Sequence, residues 1–129
     1  MDETHSERKV FDIRQRSFTF AVRVVKLCRA LQQNPEVARP VNNQLIDAGT
    51  SVGANLEEAK AGQSRRDFIH KNAIALKEIR ETRYWLRLIE ATATLESATR
   101  QEIRELIVEA EEIARIVGKI IVNTEANTL

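Results

Sequence analysis

Asp67-Phe68-Ile69-His70 sets a carboxylate and an imidazole three residues apart, the spacing at which one helix face can offer both to a metal ion. A di-iron bundle needs that pair twice, plus a glutamate from each of two further helices. The other histidine is His5, close to the start of the chain, so the second pair has no source. Asp67 also stands three residues after Ser64, where it serves a helix start. No metal and no cofactor are expected. Nucleophiles are no better placed. Cys28 lies in an apolar stripe, the setting of a small core residue rather than a reactive thiol. Ser51 and Ser64 are accounted for by helix packing and capping. Glu57 and Glu58 are adjacent, so on a helix they project about 100° apart and do not face each other as acid and base. Gly49 and Gly53 follow no strand and lack the lysine of a phosphate loop. No catalytic residue is assigned, and the chain is not read as an enzyme.

The arginines suggest a different chemistry. Arg65 and Arg66 open one helix, at the end least favourable to cations, and Arg80, Arg83 and Arg87 form a ridge further along it with Tyr84 beside them. In one reading these are solvated faces, with Lys77 pairing to Glu81 one turn on. In the other they lie on nucleic-acid phosphates, contacting backbone rather than reading bases. The formal net charge of +1 excludes a globally basic binder but leaves room for a local patch.

The elements that must position these residues are helices. The chain has 129 residues, 43% apolar and 30% charged, which suits one soluble domain spanning 1–129. Gly and Pro are scarce while Ala, Leu, Ile, Glu and Arg dominate the long segments. The pattern predicts helices over about 6–32, 40–60, 65–92 and 97–122. Asn34-Pro35 makes the first connection, Gly62 stops the second helix, Ser64 with Asp67 caps the third, and 93–97 is a short break. The tail NTEANTL is expected to fray. Four helices with short loops imply an all-α, antiparallel up-down-up-down four-helix bundle.

Two features go beyond the generic bundle. In the first helix Val10, Ala21, Val24, Cys28 and Leu31 make one apolar stripe, and Phe11, Phe18, Val22 and Val25 make a second beside it. One stripe suffices for a monomer, so the second predicts a covering partner, most simply another copy. In the second helix Gly49 and Gly53 sit four apart. Glycine there costs about 1 kcal/mol relative to alanine, a cost that makes sense where another backbone approaches closely. The first and third helices are basic and the fourth acidic. In an antiparallel bundle the basic pair lies diagonally, flanked by the other two, so part of this charge is matched internally. A single cysteine allows no internal disulfide, and no apolar run reaches the length of a membrane span. With a polar N-terminus, MDETHSERK, the expected location is the cytoplasm.

The run QLIDAGTSVGANLEEAKAGQSRRDFIHKNAIALKEIRETRYWL, residues 44–86, resembles the four-helix bundle family named after proteins encoded in intervening sequences of 23S ribosomal RNA genes, also called the S23 ribosomal protein family. The matching residues are Ser51, Asn55, Glu58, Ala59, the helix start from Ser64 to Phe68, and the ladder Ala75, Lys77, Glu78, Glu81, Tyr84, Trp85, Leu86. The first helix and the Pro35 connection agree in position. The resemblance implies a homo-oligomer, in this family typically a pentameric ring, which would repeat a modest basic patch and multiply weak contacts. A related branch serves as an RNA-binding accessory to reverse transcriptases of diversity-generating retroelements. The family supplies no established catalytic residues to carry over.

The leading expectation is a non-enzymatic homo-oligomer binding structured RNA or DNA through Arg65, Arg66, Arg80, Arg83 and Arg87. The alternative is a scaffold whose ring presents a groove to another protein. A metal-dependent enzyme is the third and weakest reading. No membrane role is expected.

Overall fold

The computed structural model describes residues 5–62 and 64–127, with side chains from Ile13 onward. His5, Arg8, Lys9, Val10 and Phe11 therefore lie outside the described side chains, as do Gln63 of the corner and Thr128 and Leu129 of the tail. Four helices follow in order: α1 (His5–Leu31), α2 (Arg39–Ala61), α3 (Arg65–Thr92) and α4 (Ser97–Ala126). Each packs on its neighbours in the chain, and α1 closes the bundle against α4. The pairs α1/α3 and α2/α4 lie across the diagonal, with no close backbone approach among the described residues.

Periodicity builds the core. α1 buries Ile13, Ser17, Phe20, Val24, Leu27 and Leu31, alternating steps of three and four. α2 buries Leu45, Ala48, Val52, Leu56 and Ala59 at helical spacing. α3 contributes Ala75, Ile79, Leu86 and Ile89, with Asn72 and Thr82 completing the row. Both polar side chains turn back on their own helix. Asn72 Nδ2 donates to the Phe68 carbonyl at 2.9 Å, and Thr82 Oγ1 to the Glu78 carbonyl at 2.7 Å. α4 adds Ile103, Leu106, Ala110, Ile113 and Val117. Each fully buried Leu or Ile stabilises the fold by about 1.5–3 kcal/mol.

The glycines of α2 set how closely α1 can approach. A Cβ on Gly53 would meet the backbone of Ser17 at 3.5 Å, and one on Gly49 would lie 2.7 Å from Val24 Cγ1. Gly53 thus faces another backbone as expected. Gly49 instead makes room for a β-branched side chain.

The loops hold together across the end of the bundle. Asn34 Nδ2 donates to the Thr94 carbonyl at 2.9 Å, and the Glu36 carboxylate accepts from Thr94 N–H at 2.7 Å, a contact that pulls its pKa down. At the other end Ser64 Oγ accepts from Asp67 N–H at 3.0 Å, capping α3. Gly62 ends α2 with φ −62°, so the stop does not use the left-handed conformation that glycine favours. The tail also differs from expectation. Asn123–Ala126 remain helical, with Ile120 and Ile121 half-buried above them.

Candidate nucleic-acid interface

Arg14, Arg16 and Arg23 of α1 are matched by its neighbours, while Lys26 and Arg29 are exposed with no ion pair among the described residues. The Arg16 guanidinium forks onto Glu109 at 2.7 and 2.8 Å, and Arg23 forks onto Glu102 at 3.1 and 2.5 Å while reaching Glu105 at 3.2 Å. These bonds raise both arginine pKa values against the opposing effect of burial. Arg14 meets Glu57 of α2 at 3.3 Å. The acid of α4 therefore matches α1 across the α1–α4 seam, as the diagonal arrangement predicts.

On α3 the outcome divides the five arginines singled out by sequence. Arg65 points along the bundle to the end of α4, where its Nη1 donates to the Asn127 carbonyl at 2.6 Å. A cation at a helix C-terminus satisfies a free carbonyl and complements the helix dipole. Arg83 turns toward α4, with Nη2 3.8 Å from Glu111 and its Nε buried without a hydrogen-bond partner. Arg66, Arg80 and Arg87 are exposed, and no hydrogen bond or ion pair holds them among the described residues.

Helical geometry brings those three together. At about 100° per residue, Arg66, Lys77, Arg80, Tyr84 and Arg87 fall within about 80° of arc on the outer face of α3, along about 32 Å of its length. Lys77 is exposed and shares this face, and no Lys77–Glu81 pair forms among the described residues. The spacing 77, 80, 84, 87 carries that signal in the sequence. Arg83, by contrast, is rotated toward α4. Tyr84 is 57% exposed, and its ring stands edge-on to Trp85, centroids 5.2 Å apart and planes at 80°. The indole is half-buried against the core and packs against the phenol.

The remaining candidates for chemistry are occupied. Cys28 is buried, its thiol pushed up to about 12 by desolvation. Ser51 Oγ donates to the Asp47 carbonyl at 2.6 Å. His70 is exposed, and no group of three or more metal-ligating side chains forms among the described residues. No described helix is long and apolar enough to cross a membrane. The second apolar stripe of α1 lies open, with Phe18 64% and Val22 37% exposed, while Val25 is half-buried.

The family model for the 23S rRNA-intervening sequence protein matches residues 9–119. The chain belongs to this family. A solved relative agrees: the 1.70 Å crystal structure of a protein of unknown function from the S23 ribosomal protein family of Bacteroides thetaiotaomicron VPI-5482. It is 37% identical, superposes with a TM-score of 0.79, and the match covers 88% of this chain and 97% of that one. No curated protein matches the sequence. Membership in the 23S rRNA-intervening sequence family thus fixes the bundle, and the family resemblance drawn from residues 44–86 holds across most of the chain.

Proposed function

We propose that this 23S rRNA-intervening sequence family member is a non-enzymatic, cytoplasmic homo-oligomer that binds RNA or DNA through the outer face of α3. One observation carries the reading: Arg66, Lys77, Arg80 and Arg87 share one exposed face without acidic partners among the described residues, whereas Arg14, Arg16 and Arg23 of the other basic helix are each matched by a glutamate. Cations left in water at this density favour phosphate, which they bind with release of counterions. Arg65 and Arg83 play a supporting part, since each already has a contact within the bundle. Self-association is supported by the open Phe18–Val22 stripe of α1. A pentameric ring, the assembly implied by the family resemblance, would repeat the α3 face around an axis and raise avidity without new contacts.

Fluorescence anisotropy of a labelled structured RNA across a salt series tests the binding, with duplex DNA as comparison. Affinity that falls steeply with salt is the expected result. Absence of binding at low salt rejects it. Absolute mass from light scattering tests the oligomer, and a stable monomer at micromolar concentration removes that part. The exposed Phe18 supports a second reading, a scaffold for another protein. Apolar contact there would be far less sensitive to salt than phosphate contact.

A further inference from the structure

Tyr84 is the one exposed aromatic on the α3 face, and its surroundings define what kind of nucleic acid that face suits. The ring is one turn from Arg80 on one side and one turn from Arg87 on the other, offset by about 6 and 4.5 Å along the axis. Trp85 packs against it in a T-shaped arrangement that restricts the ring. The residue is 57% exposed, and no described residue accepts from or donates to its hydroxyl. A tyrosine has few rotatable bonds, and one already braced loses little freedom when something stacks on it. An aromatic surface between two unpaired cations is the arrangement that binds successive bases of an unpaired strand, the ring taking a base and the cations its phosphates.

Duplex fits the same face poorly. Base pairs in a helix are stacked on each other and offer only edges, so the ring would have no base face to meet. Reading those edges requires a helix that enters the major groove, about 12 Å wide. α3 is packed against α2 on one flank and α4 on the other, so it presents a ridge and does not project. We infer that Tyr84 is a stacking platform for an unpaired nucleobase, with Arg80 and Arg87 on the flanking phosphates, and that the preferred ligand is single-stranded nucleic acid or an unpaired loop of a structured one. This inference rests on the nucleic-acid reading proposed above.

The experiment measures anisotropy of a labelled oligo(A) RNA, the same strand paired to oligo(U), and oligo(dA), against the full chain and the variants Tyr84→Ala, Tyr84→Phe and Arg80→Ala. Tyr84→Ala should weaken single-strand binding about 5- to 150-fold, the range of base–aromatic stacking, while leaving the salt slope unchanged. Tyr84→Phe should bind as the parent does, and the paired strand should bind more weakly and ignore the tyrosine. Arg80→Ala should instead lower the salt slope by about one. Quenching of Trp85 emission on binding would place the base against the braced ring. Equal affinity of parent and Tyr84→Ala for the single strand overturns the stacking platform but leaves phosphate binding standing. No binding of any strand at low salt overturns both. Deoxyribose binding as well as ribose means the face reads an unpaired strand of either kind. A preference for RNA means that it also reads the 2′-hydroxyl, and the stacking inference stands in either case. Because Tyr84 is exposed, its variants are expected to fold, which circular dichroism verifies.

Discussion

α1 and α3 are alike in composition, both long, both arginine-rich and diagonal to one another, yet the arginines at their middles are used differently. Arg16 and Arg23 of α1 fork onto glutamates of α4, and the resulting bonds draw two helices together. α3 sends Arg65 and Arg83 to α4 but keeps Arg66, Lys77, Arg80 and Arg87 in water. The difference arises from position around the helix, not from residue type. Arg83 and Arg80 are three residues apart, so one leans toward α4 while the other faces outward. A count of basic residues would rank the two helices as equals. Their function depends on where acid lies within reach.

That contrast can be broken most forcefully on α3. Replacing Lys77, Arg80 and Arg87 together by alanine should lower nucleic-acid affinity by about 100-fold or more and reduce the salt slope by about two to three. Stability should move by less than about 0.5 kcal/mol per site, because surface positions without partners contribute little. Light scattering on the same variant checks that the assembly is intact. Lost binding with an unchanged mass is the expected pair of results.

The seating of α1 provides the next test. Gly49→Ala places a methyl against Val24, which is fully buried and stiff at χ1, and should destabilise the bundle by about 1–3 kcal/mol in urea unfolding. Gly118→Ala has open space and should stabilise α4 by up to about 1 kcal/mol. Equal effects at both glycines would mean that propensity, not the α1–α2 approach, sets the cost.

On the α1–α4 seam, Arg23→Ala should cost about 1–2 kcal/mol, between the values for exposed and buried pairs, since both partners are about one-third exposed. Nucleic-acid affinity should not change. A loss of binding here would erase the distinction between the two helices.

The smallest effect concerns Cys28. Its thiol titrates near 12 in the fold against about 9 when free, so the folded state disfavours the thiolate. The stability linked to this group is complete below about pH 9 and declines as pH rises from there toward 12. At neutral pH a thiol reagent should label Cys28 only as fast as the bundle opens.

Much of this was readable from the chain. The order of four helices, the Asn34-Pro35 turn and the Ser64 cap follow from local chemistry, and all are where the sequence puts them. What escaped were facts that depend on a neighbour's register. Arg65 satisfying the carbonyl of Asn127 requires knowing that α4 ends beside the start of α3, and the same contact helps explain why Asn123–Ala126 stay helical. Ser17 is fully buried with its hydroxyl unpartnered because α2 comes close at Gly53, and size rather than polarity selects it. The outer face of α3 was half legible. Spacing groups Lys77, Arg80, Tyr84 and Arg87, but only the placement of Glu111 separates Arg83 from them.

The α1–α4 seam joins the first helix of the chain to the last, and among the described residues it is the least extensive of the four seams. The α1–α2, α2–α3 and α3–α4 contacts are local hairpins that close short loops, whereas bringing α1 to α4 closes nearly the whole chain. Folding therefore has an order built into it: the three hairpins first, and the α1–α4 seam that closes the bundle last. The same order run backward makes the α1–α4 seam the first contact to open, and salt, by screening the Arg16 and Arg23 pairs, should speed amide exchange along it.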